Sequence, residues 1–214
     1  MVNSSPMVLD ASTYTNPFGE TYKITKFKYY ISNVHFSGAG TTATEKGSYH
    51  LVDESMPGSL TFSFETEENT FSNLHFVIGV DSIRNVSGAQ TGALDPLNDM
   101  FWTWNSGYVM AKMEGTSPLS NQAGNIIEYH IGGFSGVNGV LKEITLALPS
   151  DKPVIIKQGQ VSEITVEADF NKWWQTPNDV KIAVMPVCTM PGALAKKVAD
   201  NYSKMFTVTN VVNN

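Results

Sequence analysis

Short runs in which apolar and polar residues alternate, broken every few residues by turn clusters, constrain this chain more than any other feature. They are rich in β-branched and aromatic residues and fall at Thr21–Phe36, Ser48–Asp53, Ser59–Glu65, Leu74–Val80 and Tyr108–Glu114. The series continues at Asn125–Phe134, Val140–Leu148, Pro153–Lys157, Val161–Phe170 and Val180–Val187. Ser37-Gly38-Ala39-Gly40, Met56-Pro57-Gly58 and Gly132-Gly133-Phe134-Ser135-Gly136 are among the punctuating turns. Period-two runs of this length bury one face of a strand, and their succession without helical periodicity predicts an all-β fold, a β-sandwich with long loops. Helical spacing enters only near the C-terminus. Asp169–Gln175 reads as one short turn stopped by Thr176-Pro177, and Pro191–Phe206 as an amphipathic helix with Leu194, Val198, Tyr202 and Met205 on one side. Residues 1–20 read as an N-terminal strand and extended segment, and residues 21–214 as a single domain.

Composition narrows the function classes. A net charge of −6 with no basic run gives no field for a phosphate backbone, so nucleic acid is a poor partner. No apolar stretch approaches the ~20 residues of a membrane helix, and Met1-Val2-Asn3-Ser4-Ser5-Pro6 lacks the regions of a signal peptide, so the chain as given reads as soluble. One cysteine, Cys188, excludes an internal disulfide framework and a multi-cysteine zinc site. No Gly-x-Ser-x-Gly, phosphate-cradling loop or His-Glu-x-x-His is present, and the expectation is a protein that is not an enzyme.

The segment Asp81–Asn105 carries few strand signals and many turn residues, and a loop that long inside one domain is usually functional or mis-assigned. Its end holds Met100-Phe101-Trp102-Thr103-Trp104-Asn105-Ser106-Gly107-Tyr108, where an extended backbone would put Trp102 and Trp104 on one side. Two such indoles either cap a core or line a site. His130 lies in Ile127-Glu128-Tyr129-His130-Ile131-Gly132-Gly133, where alternation sets it with Glu128 opposite the apolar face, beside glycines that permit close approach. His35, His50 and His75 are also on strand-like runs, and any metal site among them has to be assembled from distant strands. Met185, Cys188 and Met190 gather soft donors of the kind Cu(I) prefers, or simply fill core. Asp81, Asp95, Asp99, Asn85 and Asn98 offer hard oxygens without EF-hand spacing, and turn formation accounts for them equally well.

Taken in order, Lys26-Phe27-Lys28-Tyr29-Tyr30-Ile31-Ser32-Asn33, Phe76-Val77-Ile78-Gly79-Val80-Asp81, Gly92-Ala93-Leu94-Asp95-Pro96, the Met100–Tyr108 block and Tyr129-His130-Ile131-Gly132-Gly133 form a series. It resembles the MbnP-like family, named for the periplasmic copper-binding protein of methanobactin operons. The resemblance spans roughly Tyr22 to Gly133, and the block with two tryptophans is its specific part. It implies an exported β-sandwich, periplasmic or at the cell surface and in some cases a lipoprotein. Such a protein binds Cu(I) through histidine and a kynurenine made from tryptophan by a di-haem partner enzyme related to bacterial peroxidases. On that resemblance the tryptophan is Trp102 or Trp104, His130 is a ligand, and Phe101, Tyr108, Asn85, Asp81 and Asp95 line the site. One departure is plain: Asn85 is followed by Val86 where proteobacterial members carry histidine, so either His50, His35 or His75 supplies the second imidazole or this branch keeps the scaffold without copper. The alternative is a surface module in which Trp102 and Trp104 stack on a carbohydrate or another protein.

Overall fold

The computed structural model describes every residue except Ala89, Trp104 and Asn105. Its strands are β1 (Tyr14–Thr15), β2 (Thr21–Gly38), β3 (Thr41–Thr44), β4 (Tyr49–Asp53), β5 (Asn69–Phe71), β6 (Asn73–Ile78) and β7 (Phe101–Thr103) in the first half. In the second half come β8 (Gly107–Thr116), β9 (Ile126–Gly132), β10 (Lys142–Ala147), β11 (Val154–Ile156), β12 (Ser162–Ala168), β13 (Val187–Cys188) and β14 (Phe206–Asn213). Two α-helices, α1 (Ser82–Asn85) and α2 (Ala193–Tyr202), and several 3-10 turns complete it. The fold is the all-β sandwich that the alternation predicts.

The long strand β2 organises the molecule. Its one edge carries β4 opposite Lys28–Ser32. Its other edge carries β8 opposite Lys23–Tyr29 and then β6 opposite Ile31–Ser37. Antiparallel strands β8 and β9 extend the first half, and β10 pairs with β6 in the second. Where the neighbours change, Asn33 adopts a left-handed φ of 54° and the register slips between Ser32 and His35. A one-residue slip reverses the phase of a strand, so Phe27, Tyr29 and Ile31 before the bulge and Phe36 after it all face the core.

That core face is closed by β12–β14 and the C-terminal helical pieces. Phe206 of β14 meets Phe76 edge-on, ring centroids 5.0 Å apart, and Tyr29 at 5.9 Å. Phe170 and Trp173, from the 3-10 turn Phe170–Trp173, cover Phe27 at 5.1 and 5.6 Å. Each such aromatic pair contributes about 0.5–1.5 kcal/mol beyond the area it buries. In α2, Val198 and Tyr202 are buried as the helical spacing requires, and Met205 is buried just past its end. The N-terminal stretch is tied in as well: the Met1 amine donates to the Ala168 carbonyl at 2.7 Å, and Val2 is fully buried.

Three expectations need correction. Ser59–Glu65 is not a strand: a 3-10 turn opens at Pro57–Leu60, and the backbone after it has no ladder partner. Its aromatic side chains nevertheless pack, Phe62 on His50 and Phe64 on Phe36, which is why the pattern resembled a strand. Val180–Val187 pairs only at Val187–Cys188, parallel to β9. Upstream, the Ile182 and Ala183 N–H groups donate to the Glu20 carboxylate at 2.8 and 3.0 Å, so a side chain replaces the neighbouring strand. Conversely, Phe206–Asn213 is a strand that the helical spacing before it obscured.

Candidate metal centre

The 81–103 segment is not loose. Asp81 caps α1 by accepting from the Arg84 N–H, and also accepts from the Tyr49 hydroxyl; Asp95 caps the next turn by accepting from the Leu97 N–H at 2.9 Å. These two carboxylates therefore serve the loop's own turns. Asn85 is the inner fastening. Its amide donates to the Val80 and Asp81 carbonyls at 2.6 and 2.9 Å, and its Oδ1 accepts from the Tyr108 N–H at 2.8 Å. Gly107, at φ 71°, has to be glycine: a Cβ there would stand 2.2 Å from that Oδ1.

Hydroxyls and ammonium groups of the sheet then hold the loop from below. Tyr30 donates to the Ala93 carbonyl at 3.0 Å and Tyr108 to that of Leu94 at 2.6 Å, while Lys28 reaches the Asn98 carbonyl and Lys112 that of Asp99. Phe101 packs edge-on against the Tyr108 ring at 4.9 Å. The register explains this convergence. Asp53, Lys28, Lys112 and His130 form one cross-strand row over β4, β2, β8 and β9, and Lys26, Glu114 and Glu128 form the next.

Opposite charges meet along and between these rows. Lys28 pairs with Asp53 at 2.9 Å; Lys26 bridges Asp99 at 2.9 Å and Glu114 at 3.0 Å; Lys112, only 3% exposed, reaches Asp99 at 3.0 Å. Three ammonium groups thus face three carboxylates. His130 stands at the end of the array, its Nε2 2.9 Å from Glu114 Oε1. Burial, and then the Lys112 charge, hold its pKa below the ordinary histidine value against the opposing pull of Glu114 and Glu128. The imidazole is therefore neutral at pH 7. A neutral ring beside a carboxylate donates from Nε2, which leaves Nδ1 as the nitrogen with a lone pair to offer.

Asp99 makes the clasp sensitive to acid. Burial alone would raise its pKa, but the Lys26 and Lys112 ammonium groups outweigh that and hold it below the usual value. A carboxylate depressed in the folded state contributes stability above its unfolded pKa of ~3.9 and loses it as pH falls through the lower folded value. Below about pH 4 the loop is expected to gain amide-exchange rate before the sandwich loses far-ultraviolet dichroism. Simultaneous loss of both signals would contradict this.

Trp102 completes the site. On β9, Gly132 is two residues beyond His130 and so on the same face, and the Trp102 ring covers it: Cζ3 and Cη2 lie 2.5 and 2.9 Å from where a Cβ on residue 132 would stand. The half-buried indole thus lies over the strand position neighbouring His130, one pleat or ~7 Å along the strand. Trp104 lies outside the described residues.

The other histidines are elsewhere. His50 faces the opposite side of the sheet from Asp53 and Lys28, stacked on Phe62 and paired with Glu45 at 2.9 Å, three strands or ~14 Å away from β9. His35 lies seven residues up β2 from the Lys28 row, ~23 Å of strand, with His75 as its cross-strand neighbour. None of the three joins His130, and among the described residues no three His, Cys, Asp or Glu side chains cluster as a metal site. The sulfur run does not converge either. Cys188 is buried, its thiol pushed up to about 11 by that burial, whereas Met190 is 73% exposed. Sequence reasoning did not single out Glu114, Lys112, Lys26 or Asp99 as a network. The signal was there in Lys26-x-Lys28, Lys112-x-Glu114 and Glu128-x-His130, charged groups at the off-core phase of three strands that pair.

A model of the MbnP family matches residues 1–190. The chain belongs to the MbnP family. Among solved structures, MbnP from Methylosinus trichosporium is similar at a TM-score of 0.50 and 13% identity, covering 88% of this chain and 80% of that one, a likeness of fold. No curated protein matches. The Asn85 fastening, the Phe101-Trp102 pair and the His130-Ile131-Gly132 segment all lie within the matched span. Among the described residues no helix is long and apolar enough to cross a membrane.

Proposed function

We propose that this chain is an extracytoplasmic copper-binding member of the MbnP family, in which His130 and a kynurenine derived from Trp102 or Trp104 hold Cu(I). One observation carries the reading. The Trp102 indole lies over Gly132 on the same face of β9 as His130, a neutral imidazole whose orientation Glu114 fixes. The donor set suits the ion, because Cu(I) accepts imidazole nitrogen and tolerates low coordination, and an aromatic amine can supply the second donor. His130 would bind through Nδ1. Glu114 holds the tautomer, Lys26 holds Glu114 in its charged form, and the 81–103 loop keeps the indole against the strand.

The missing histidine at Val86 leaves this reading with a smaller donor set than the resemblance implies. Val86, 65% exposed beyond α1, offers no donor, so in this reading His130 and the tryptophan-derived amine are the protein's whole donor set. Oxidation of tryptophan to kynurenine needs an external oxidant, and in this reading a di-haem partner enzyme would supply it. The half-buried position of Trp102 supports an enclosed site over a flat stacking platform.

Protein matured with its di-haem partner is expected to gain ~4 Da on the peptide holding Trp102 and Trp104, two oxygens added and one carbonyl lost. It is then expected to titrate with one Cu(I) per chain, and His130→Ala to abolish that uptake. Unchanged stoichiometry and affinity in His130→Ala would sink the assignment.

A further inference from the structure

The β2–β6 pairing that removes His35 and His75 from the His130 site places them against each other. They are direct cross-strand partners, on the outer side of the sheet opposite the buried Val34, Phe36, Leu74 and Phe76. Their rings stack with centroids 4.5 Å apart and planes 4° from parallel. His75 bridges two hydroxyls, Nε2 to Ser37 Oγ at 2.8 Å and Nδ1 to Thr145 Oγ1 at 2.9 Å, while His35 Nδ1 meets the Asn33 carbonyl at 3.0 Å. Nothing in the copper-site reading uses this pair.

We propose that His35 and His75 form a second, solvent-facing metal site, a two-imidazole chelate for a divalent transition metal such as Zn(II), its remaining positions filled by water. Three features support it. Opposed positions on paired strands hold the two Cβ atoms ~5 Å apart, close enough for two imidazoles to share an ion at about 2 Å from each nitrogen. The side-chain torsion that turns a histidine ring is broad, so both rings swing out of the stack at small cost, and at an open face water replaces the hydroxyls that His75 gives up. Glu143 is exposed on β10, two residues from Thr145 on the same face, and adds a favourable negative charge. The register bulge at Asn33 makes the pair possible, because it shifts the phase of β2 so that His35 points outward beside His75.

The test uses the whole chain, unmatured and copper-free, so that it is independent of kynurenine formation. Calorimetric titration with zinc chloride is expected to show one site per chain with micromolar affinity, absent in His35→Gln and in His75→Gln and kept in His50→Gln and His130→Ala. Survival of the site in either of the first two variants, or no zinc uptake by the parent beyond that of a chain carrying both His35→Gln and His75→Gln, overturns the proposal. A second measurement does not depend on the variants folding. Zinc should protect His35 and His75 of the parent from diethylpyrocarbonate, read by peptide mass, and equal modification with and without zinc would overturn it too. Failure of Cu(I) binding at His130 leaves these readouts untouched.

Discussion

Asn85→Ala is expected to destabilise the protein by about 2–4 kcal/mol. The residue is 2% exposed, and its amide makes three hydrogen bonds, two to the carbonyls that lead into α1 and one from the Tyr108 N–H. Truncation leaves all three backbone groups without that partner in a space closed by Gly107 and Phe134, and an unsatisfied buried group costs ~1–3 kcal/mol. Partial entry of water lowers the sum. The effect should appear as a lower denaturant midpoint at unchanged slope. It should reach the proposed metal centre too, because Tyr108 pairs with Phe101 and Trp102 follows directly. Asn85→Asp is expected to fall between the parent and the alanine variant, since it keeps an acceptor for Tyr108 and loses the donors to Val80 and Asp81. An alanine variant as stable as the parent would show that the loop is held by its outer contacts alone.

The fold was legible where side-chain phase alone decides it. Ile127, Tyr129 and Ile131 are buried and His130 with Glu128 is not, as the alternation of β9 requires. It was less legible where a side chain substitutes for a strand. Glu20 accepts the backbone N–H groups of Ile182 and Ala183, and no local pattern in Val180–Val187 reveals a partner 162 residues earlier. The same limit applies to the site. That His130 faces away from the core follows from its own neighbours, but that Glu114 holds it depends on the β8–β9 register, fixed by a bulge between Val109 and Ala111. The separation of His35 and His75 from His130 depends likewise on which half of β2 each neighbouring strand borders. Asp81 and Asp95 show the converse case. Their turn-forming role was readable from composition, and it accounts for both carboxylates through the caps they make.

Glu114→Ala is expected to weaken Cu(I) binding by the matured protein about 10–100-fold, the range over which loss of a ligand's supporting carboxylate lowers metal affinity. The argument runs through the imidazole and does not require Glu114 to touch copper. With the carboxylate present, the Nε2 proton is held at 2.9 Å and Nδ1 keeps its lone pair on the ligating side; without it both tautomers are populated and the ring turns. Two readouts separate this role from simple packing. Glu114 raises the His130 pKa through its hydrogen bond and charge, so its removal should lower that pKa further, as followed by imidazole NMR. Glu114→Gln retains an acceptor of nearly the same shape and should recover part of the affinity, while Glu128→Ala, one row over on the same face, should leave it unchanged. The Lys26 and Lys112 bridges to Asp99 survive in each variant, so the loop stays docked and the loss is confined to the ligand. If Glu114→Ala bound copper as tightly as the parent, with an unshifted His130 titration, the imidazole would be oriented by something other than this carboxylate.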